Sequence, residues 1–579
     1  RPDRERTVRT TPQSLIDTHT RAGWWGNDTL CSLFDQVLEQ RPERLALVDA
    51  PNRPSLVAGA AARLTYSDVQ LRADAIGAAL YASGIRASDI VVVQLPNIVE
   101  LPILYLALSR LGAVASPVPV QYGRHELAEI RESLSAAAYV SVARFKEQCL
   151  LADHAEVFDG CKLFCLASDA DSESDVIDLE RSIISDSDQA GYAAYCAEFI
   201  PDANDIFTIC WTSGTTGTPK GVPRSHNHWW AISIGSGDLA ELRDADVLLN
   251  PFPLVNMGGI GGFLFNWLKC HGTLVLHHPM DLPVFLGQIN DERVNYTIAP
   301  PALLNTLLQN RHLLDSLDLS ALRSIGSGSA PLSSWMVEGY EKDYGIDIMN
   351  NFGSNEGMCL VSGPKEVPDP ALRGELFPRF GIEGYSWNNR IADMFVSKLV
   401  CTETGAEIVE PGVAGEMLIK GPTVFDGYWN SPKANADVFS KDGYFHTGDM
   451  FEIAGDGEQQ KYYRFVGRHK DIISRGGMKI SPAELDNLLA GHEKIADAAV
   501  VGVADQILGE RIAVAVVPKP GESVTLDEII AFLKEKDIAV FKLPEMIRLL
   551  DALPRNPLGK VLRHELLPIF DAQRDCKND

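Results

Sequence analysis

The segment Thr212-Ser213-Gly214-Thr215-Thr216-Gly217-Thr218-Pro219-Lys220-Gly221 packs hydroxyls, glycines and one cation into ten residues. Such a loop suits a polyphosphate: glycine lets backbone N–H groups approach an anion, the hydroxyls donate further hydrogen bonds, and Lys220 supplies charge. An apolar run, Ile206 to Trp211, precedes it and reads as a strand, and a helix is predicted from near Ser225, which would place the loop at a strand-to-helix junction. It is not a Walker loop, because Gly221 rather than Ser or Thr follows the lysine. Taken alone, a Gly/Thr-rich surface turn stays open.

Four later segments could complete a nucleotide site. Ser327-Gly328-Ser329-Ala330-Pro331 is a small-residue turn after apolar Leu322 to Ile325, against which a flat ring can lie. Asn350-Asn351-Phe352-Gly353-Ser354-Asn355-Glu356 gathers an aromatic face, amide and hydroxyl donors and one carboxylate, a set able to hold adenine, phosphate and Mg²⁺. Asp449, in Thr447-Gly448-Asp449, can accept hydrogen bonds from ribose hydroxyls, and Arg468 lies nineteen residues on. Lys560 follows Gly559 near the C-terminus. A capped turn and a surface lysine are the bland alternatives.

The elements that must position these residues alternate. From Leu64 to Pro119 the pattern gives helix Tyr66 to Ser83, strand Ile90 to Gln94, helix Leu101 to Leu111 and strand Ala113 to Val118, with further strands at 139–142, 163–166, 273–276 and 296–299. This predicts an α/β fold of layered sheets flanked by helices. Ala167 to Asp188, rich in Asp and Ser, reads as an exposed acidic loop. At 579 residues more than one domain is expected, and the text changes near 467; the expected division is 1–467 for a large N-terminal domain and 468–579 for a small, mobile α+β C-terminal domain. A net charge of −26 argues against nucleic acid or anionic membrane as partner. No apolar stretch is long enough for a membrane span and no signal-peptide core is visible, so the chain reads as cytoplasmic; its ten cysteines, without metal-type pairing, read as reduced and mostly buried thiols.

In order and spacing these motifs resemble the adenylate-forming superfamily of acyl-CoA synthetases, carrier-loading adenylation domains and luciferases, from about Leu30 to Phe570; Gly415-Glu416, Lys420-Gly421-Pro422 and Gly467-Arg468-His469-Lys470-Asp471 extend the match. The resemblance implies an acid–thiol ligase that uses ATP, Mg²⁺ and coenzyme A on a small-molecule carboxylic acid. The acid attacks the α-phosphate, pyrophosphate leaves, and a thiol then attacks the acyl-adenylate to release AMP. It further implies catalytic roles for Lys560 and Glu356, the latter also the metal ligand. ATP or AMP would be bound by Thr212, Ser213, Gly214, Thr215, Thr216, Gly217, Lys220, Gly328, Ser329, Ala330, Pro331, Asn351, Phe352, Gly353, Ser354, Asn355, Asp449 and Arg468. Lys470 takes the hinge position about which the C-terminal domain would swing. Arg475, Gly476 and Gly477 fall on the coenzyme A face.

The expected acyl pocket includes Asn256, Met257, Gly258, Ser327 and Met358. Its segments are glycine-rich and carry no Lys or Arg, which favours a medium-size apolar acid, alicyclic, aromatic or medium-chain, over acetate or a dicarboxylate. Adjacent Trp229 and Trp230 read as core or interface. Three positions depart from the family pattern: Asn256 stands where many relatives carry His, Asn355 where Thr is usual, and Ser474 where some have Lys. Asn355 can still donate to phosphate through its amide. A stand-alone acyl- or aryl-adenylating enzyme that loads a carrier protein and a non-catalytic nucleotide-binding derivative are the alternatives, and a homodimer stays open.

Overall fold

Ile90-Val91-Val92-Val93-Gln94 is buried along its whole length, as befits an unbroken apolar run in the middle of a parallel sheet covered on both faces. The computed structural model describes residues 8–168, 176–212, 219–328, 332–468, 470–475, 478–505, 508–536, 538, 540–556 and 560–571. Within them, Ile90–Gln94 belongs to a seven-stranded sheet in the order Val176–Asp178, Lys162–Leu166, Ala136–Val142, Ile90–Gln94, Val114–Pro117, Ile206–Thr212, Lys220–Ser225. All neighbours are parallel except the last pair. A second, eight-stranded sheet runs Gly357–Ser362, Asp347–Ser354, Ser324–Gly328, Tyr296–Ile298, Val247–Asn250, Thr273–Leu276, Leu45–Val48, Arg63–Thr65, antiparallel only at its two edges.

Helix Glu100–Leu111 has only Arg110 less than buried, so it is a core helix rather than an amphipathic one. It ends at Gly112, whose φ of +69° favours glycine and where a Cβ would lie 2.5 Å from the Phe199 ring. One apolar cluster takes in Val91 and Val93 of the first sheet, Leu104 and Leu108 of this helix, and Leu248 and Leu274 of the second sheet. Helix Tyr66–Ala82 starts from a capping box, with Thr65 and Asp68 satisfying each other's backbone N–H.

A third, antiparallel sheet of six strands places Phe445–Ile453 beside Tyr462–Arg468 and sets Asp449 opposite Arg468. The C-terminal residues form a five-stranded sheet around Ile495–Asp505 and Gly509–Pro518, with apolar clusters of its own, one containing Val500, Val514 and Ile529 and another Val501, Leu566 and Phe570. The architecture is the expected one: layered α/β sheets in a large N-terminal part and a small α+β C-terminal part.

One expectation is corrected. Ala167 to Asp188 is not a single loop: Val176–Asp178 pairs with Lys162–Leu166, and helix Asp186–Glu198 begins at Ser185, whose hydroxyl accepts from the Asp188 N–H. The short strand extends a sheet edge, a pairing that composition does not report. The eight cysteines whose side chains are described are free, and Cys31, Cys165, Cys210 and Cys270 among them are buried. Among the described residues no helix is long and apolar enough to cross a membrane.

Candidate active site

The residues flanking the Gly/Thr loop form an antiparallel hairpin, not the predicted strand-to-helix junction. Ile206–Thr212 pairs with Lys220–Ser225, Thr212 standing opposite Lys220, and helix His226–Leu239 starts only after the second strand, capped by Ser225. Alternation in the apolar text around Val222 was too short to reveal that strand beside the stronger helix signal. Ser213, Gly214, Thr215, Thr216, Gly217 and Thr218 lie outside the described residues, as do Ser329, Ala330, Pro331, His469, Gly476, Gly477 and Gly559.

Asp449 and Arg468, distant in sequence, meet as a register pair, with Arg468 Nε 3.3 Å from Asp449 Oδ1. Lys560 arrives from the C-terminal part: its own N–H donates to Asn556 Oδ1 at 2.9 Å, and its side chain is close enough to Asp449, Arg468 and Asp471 to interact electrostatically with each. Burial lowers the Lys560 ammonium to about 8, Arg468 lowering it further while Asp449 and Asp471 oppose. Burial likewise raises the Asp449 carboxyl to about 6, against Arg468 and Lys560, which favour the carboxylate. Glu356 also acts on Asp449. The structure thus gathers Glu356, Asp449, Arg468 and Lys560 from three parts of the chain.

Glu356 is buried in the turn between Asp347–Ser354 and Gly357–Ser362. Its Oε1 accepts from the Tyr428 hydroxyl at 2.9 Å, and no described residue hydrogen-bonds its Oε2. Among the described residues no three His, Cys, Asp or Glu side chains cluster as a cation site. A single carboxylate with one uncommitted oxygen fits Mg²⁺, which is ordinarily held by one or two carboxylates plus substrate phosphates and water.

Two departures from the family pattern have structural explanations. The Asn355 amide, expected to reach phosphate, instead donates from Nδ2 to the Trp211 carbonyl at 3.1 Å while Oδ1 accepts from the Met257 N–H at 2.9 Å. It ties the hairpin to the segment that begins at Asn256. Asn256 Oδ1 accepts from the Gly258 and Gly259 N–H groups and caps the short π-helical segment Met257–Leu264.

Gly328 faces Asn351 so closely that a Cβ would lie 2.3 Å from the Asn351 carbonyl oxygen. The half-buried Phe352 ring packs with Phe377, Phe451 and Phe465, its closest ring 4.9 Å away at Phe451. Exposed Gly353 follows, and the Ser354 hydroxyl accepts from the Glu356 N–H. Ser327 is buried and donates to the Ala299 carbonyl. Along Asn256 to Gly262 a Cβ on Gly258 would approach Phe252, one on Gly261 would meet Ile232, Met257 and Trp229, and one on Gly262 would meet nothing within 4 Å, while the Gly261 and Gly262 carbonyls accept from Ser236 and Asn266. Trp229 is core, as expected, its indole N–H on Thr208. Met358 is described by its backbone alone, opposite Gly353. Lys470 is exposed, and Arg475 pairs with Glu545 at 2.9 Å.

Residues 34–429 match the AMP-binding enzyme family, and residues 484–560 match the AMP-binding enzyme C-terminal domain. The chain belongs to the AMP-binding enzymes. It is 29% identical over 558 residues to a 2-hydroxy-7-methoxy-5-methyl-1-naphthoate–CoA ligase of Streptomyces carzinostaticus, covering 95% of this chain and 94% of that one. It is 30% identical over 524 residues, 88% of this chain and 94% of the other, to 3-[(3aS,4S,7aS)-7a-methyl-1,5-dioxo-octahydro-1H-inden-4-yl]propanoyl:CoA ligase of Rhodococcus jostii (strain RHA1). Among solved structures it superposes on the anthranilate CoA ligase AuaEII in complex with anthranoyl-AMP with a TM-score of 0.77 over 94% of this chain and 98% of that one, at 21% identity, a likeness of fold. This AMP-binding enzyme is an AMP-forming acid–thiol ligase of the acyl-CoA synthetase type.

Sequence reasoning missed two of its residues. Arg224 is fully buried, where burial lowers its guanidinium to about 10, and it donates to the carbonyls of Asn355 and Thr423. It fixes the backbone on which Glu356 stands. Tyr428 holds Glu356 directly. An arginine inside an apolar strand, Gly221-Val222-Pro223-Arg224, was the available signal for the first; nothing in Phe425-Asp426-Gly427-Tyr428 signalled the second.

Proposed function

We propose that this enzyme joins a medium-size apolar carboxylic acid, alicyclic, aromatic or medium-chain, to coenzyme A in the cytoplasm, through an acyl-adenylate. The observation that carries the reading is the approach of Lys560 to Asp449 and Arg468, which puts a lysine charge beside a pair suited to a ribose. Two anions must meet when the acid attacks the α-phosphate, and Lys560 would offset their repulsion there. Asp449 would accept from the ribose hydroxyls, with Arg468 holding its carboxylate in place. Glu356 would hold Mg²⁺ through Oε2; when bound, that ion neutralises phosphate charge. Lys220 and the hydroxyls at 212–218 would anchor the leaving pyrophosphate.

The apolar side chains beside Gly258 and Gly261 and the open space beside Gly262 support the acid class, as does the lack of any Lys or Arg from Asn256 to Gly262. The named relatives act on naphthoate and indenyl-propanoate acids. For the second step, rotation about Lys470 would withdraw Lys560 and bring Arg475, Gly476 and Gly477 to the site. The division at 467/468 is part of this proposal. The second reading is a stand-alone adenylating enzyme that loads a carrier protein; a relative 29% identical over 578 residues is named a salicylyl-CoA synthase / salicylate adenylyltransferase. A panel of acids assayed for AMP release with and without coenzyme A tests both: coenzyme A dependence with apolar acids supports the first, and adenylate accumulation indifferent to coenzyme A supports the second.

A further inference from the structure

Lys220 and Glu356 carry opposite charges and both reach the same residue, Tyr428, yet they do not form an ion pair with each other. The Tyr428 hydroxyl donates to Glu356 Oε1 at 2.9 Å, while Lys220 Nζ sits 4.9 Å from the centre of the Tyr428 ring. The backbone that carries the ring is itself fixed. The Trp429 N–H donates to the Gly221 carbonyl at 2.8 Å, the Phe425 N–H donates to the Glu356 carbonyl at 2.8 Å, and Asn435 Oδ1 accepts from the Tyr428 N–H at 2.7 Å. Segment 425–429 is therefore laced to the second strand of the hairpin and to the Glu356 turn together. Without an aromatic face to rest on, the flexible Lys220 stem would let its ammonium fall onto the nearby carboxylate, neutralising both groups before any nucleotide arrives.

We propose that Tyr428 is a positioning residue that keeps the phosphate-binding cation and the metal-binding carboxylate apart and oriented: its hydroxyl leaves Glu356 Oε2 turned to a cation, and its ring holds Lys220 ready for phosphate. This rests on the reading of Glu356 as metal ligand and Lys220 as phosphate anchor. The two functions of the side chain separate by substitution. Tyr428→Phe keeps the ring and drops the donor; Tyr428→Gln keeps a donor and drops the ring.

The test is binding without turnover, with ATP present and the acid left out. Free Mn²⁺ is read by electron paramagnetic resonance, and ATP affinity in EDTA is read by calorimetry. Tyr428→Phe is expected to weaken Mn²⁺ binding about tenfold, the scale of one hydrogen bond to a charged group, with ATP affinity in EDTA unchanged. Tyr428→Gln is expected to do the reverse, keeping Mn²⁺ affinity to within about twofold and weakening ATP in EDTA about threefold, the scale of a lost cation–π contact. Unchanged Mn²⁺ affinity in Tyr428→Phe overturns the proposal, and so do equal losses of both affinities in both variants, which mark a merely structural side chain. Glu356→Gln tests the reading beneath: if it leaves Mn²⁺ affinity at the wild-type value, the metal assignment fails and the Tyr428 proposal fails with it.

Discussion

Asp449 and Arg468 stand opposite each other on neighbouring antiparallel strands, their side chains 3.3 Å apart, and Lys560 reaches this pair from the C-terminal part of the chain. The three charges set a pH window. As a carboxylate Asp449 would accept ribose hydroxyls, so its contribution is expected to be gained as pH rises through about 6; Lys560 would act as an ammonium, so its contribution is expected to be lost as pH rises through about 8. The expected kcat/KM for ATP in adenylate formation is bell-shaped with limbs near those values, since kcat/KM reports the free enzyme. Lys560→Arg should shift the alkaline limb upward. A flat profile between pH 5 and 9 would contradict the assignment.

Lys560→Ala should lower adenylate formation about 10²- to 10³-fold, the loss typical of one preorganised charge, while thiolysis of a supplied acyl-adenylate stays within about twofold. Pyrophosphate exchange into ATP and single-turnover thioester formation measure the two halves separately.

Lys470 is exposed, two residues beyond the end of Tyr462–Arg468, a strand of the six-stranded sheet. Lys470→Pro, which fixes φ, should slow thioester formation at least about tenfold more than adenylation. Equal losses in both would place the hinge elsewhere.

Much of the layered architecture was legible because buried parallel strands are written as unbroken apolar runs: Ile90–Gln94 and Thr273–Leu276 have the bounds expected of them. The site residues were legible as types, since Asp449, Arg468 and Lys560 are charges in glycine-punctuated text. Their meeting was not, because it depends on strand register and on the docking of a separate sheet. The second hairpin strand, Lys220–Ser225, was hidden by the helix signal that follows it. Asn355 looked like a phosphate donor because its partners, the Trp211 carbonyl and the Met257 N–H, are about a hundred residues or more away and are backbone groups that any sequence offers.

Asn355 therefore yields a structural prediction. Asn355→Ala takes away the amide partner of the buried Trp211 carbonyl and of the half-buried Met257 N–H and should destabilise the fold by about 1–3 kcal/mol, read by urea denaturation. Because it joins the hairpin to the acyl segment, the KM values for ATP and for the acid should both rise.

The glycines of the acyl segment differ in what they tolerate. A Cβ on Gly261 would lie 2.7 Å from Ile232, so Gly261→Ala should cost about 1–3 kcal/mol of stability by overpacking. Gly262 has open space, and Gly262→Ala should leave the melting temperature within about 2 °C.

Activation of an apolar acid with ATP and its transfer to coenzyme A are read out together by AMP release across a panel of acetate, succinate, octanoate, cyclohexanecarboxylate, benzoate and naphthoate, each with and without coenzyme A. Sustained AMP release that requires coenzyme A is expected with one or more of the last four acids, and little with acetate or succinate. Preference for acetate or succinate, or AMP release indifferent to coenzyme A with every acid, would contradict the proposed function.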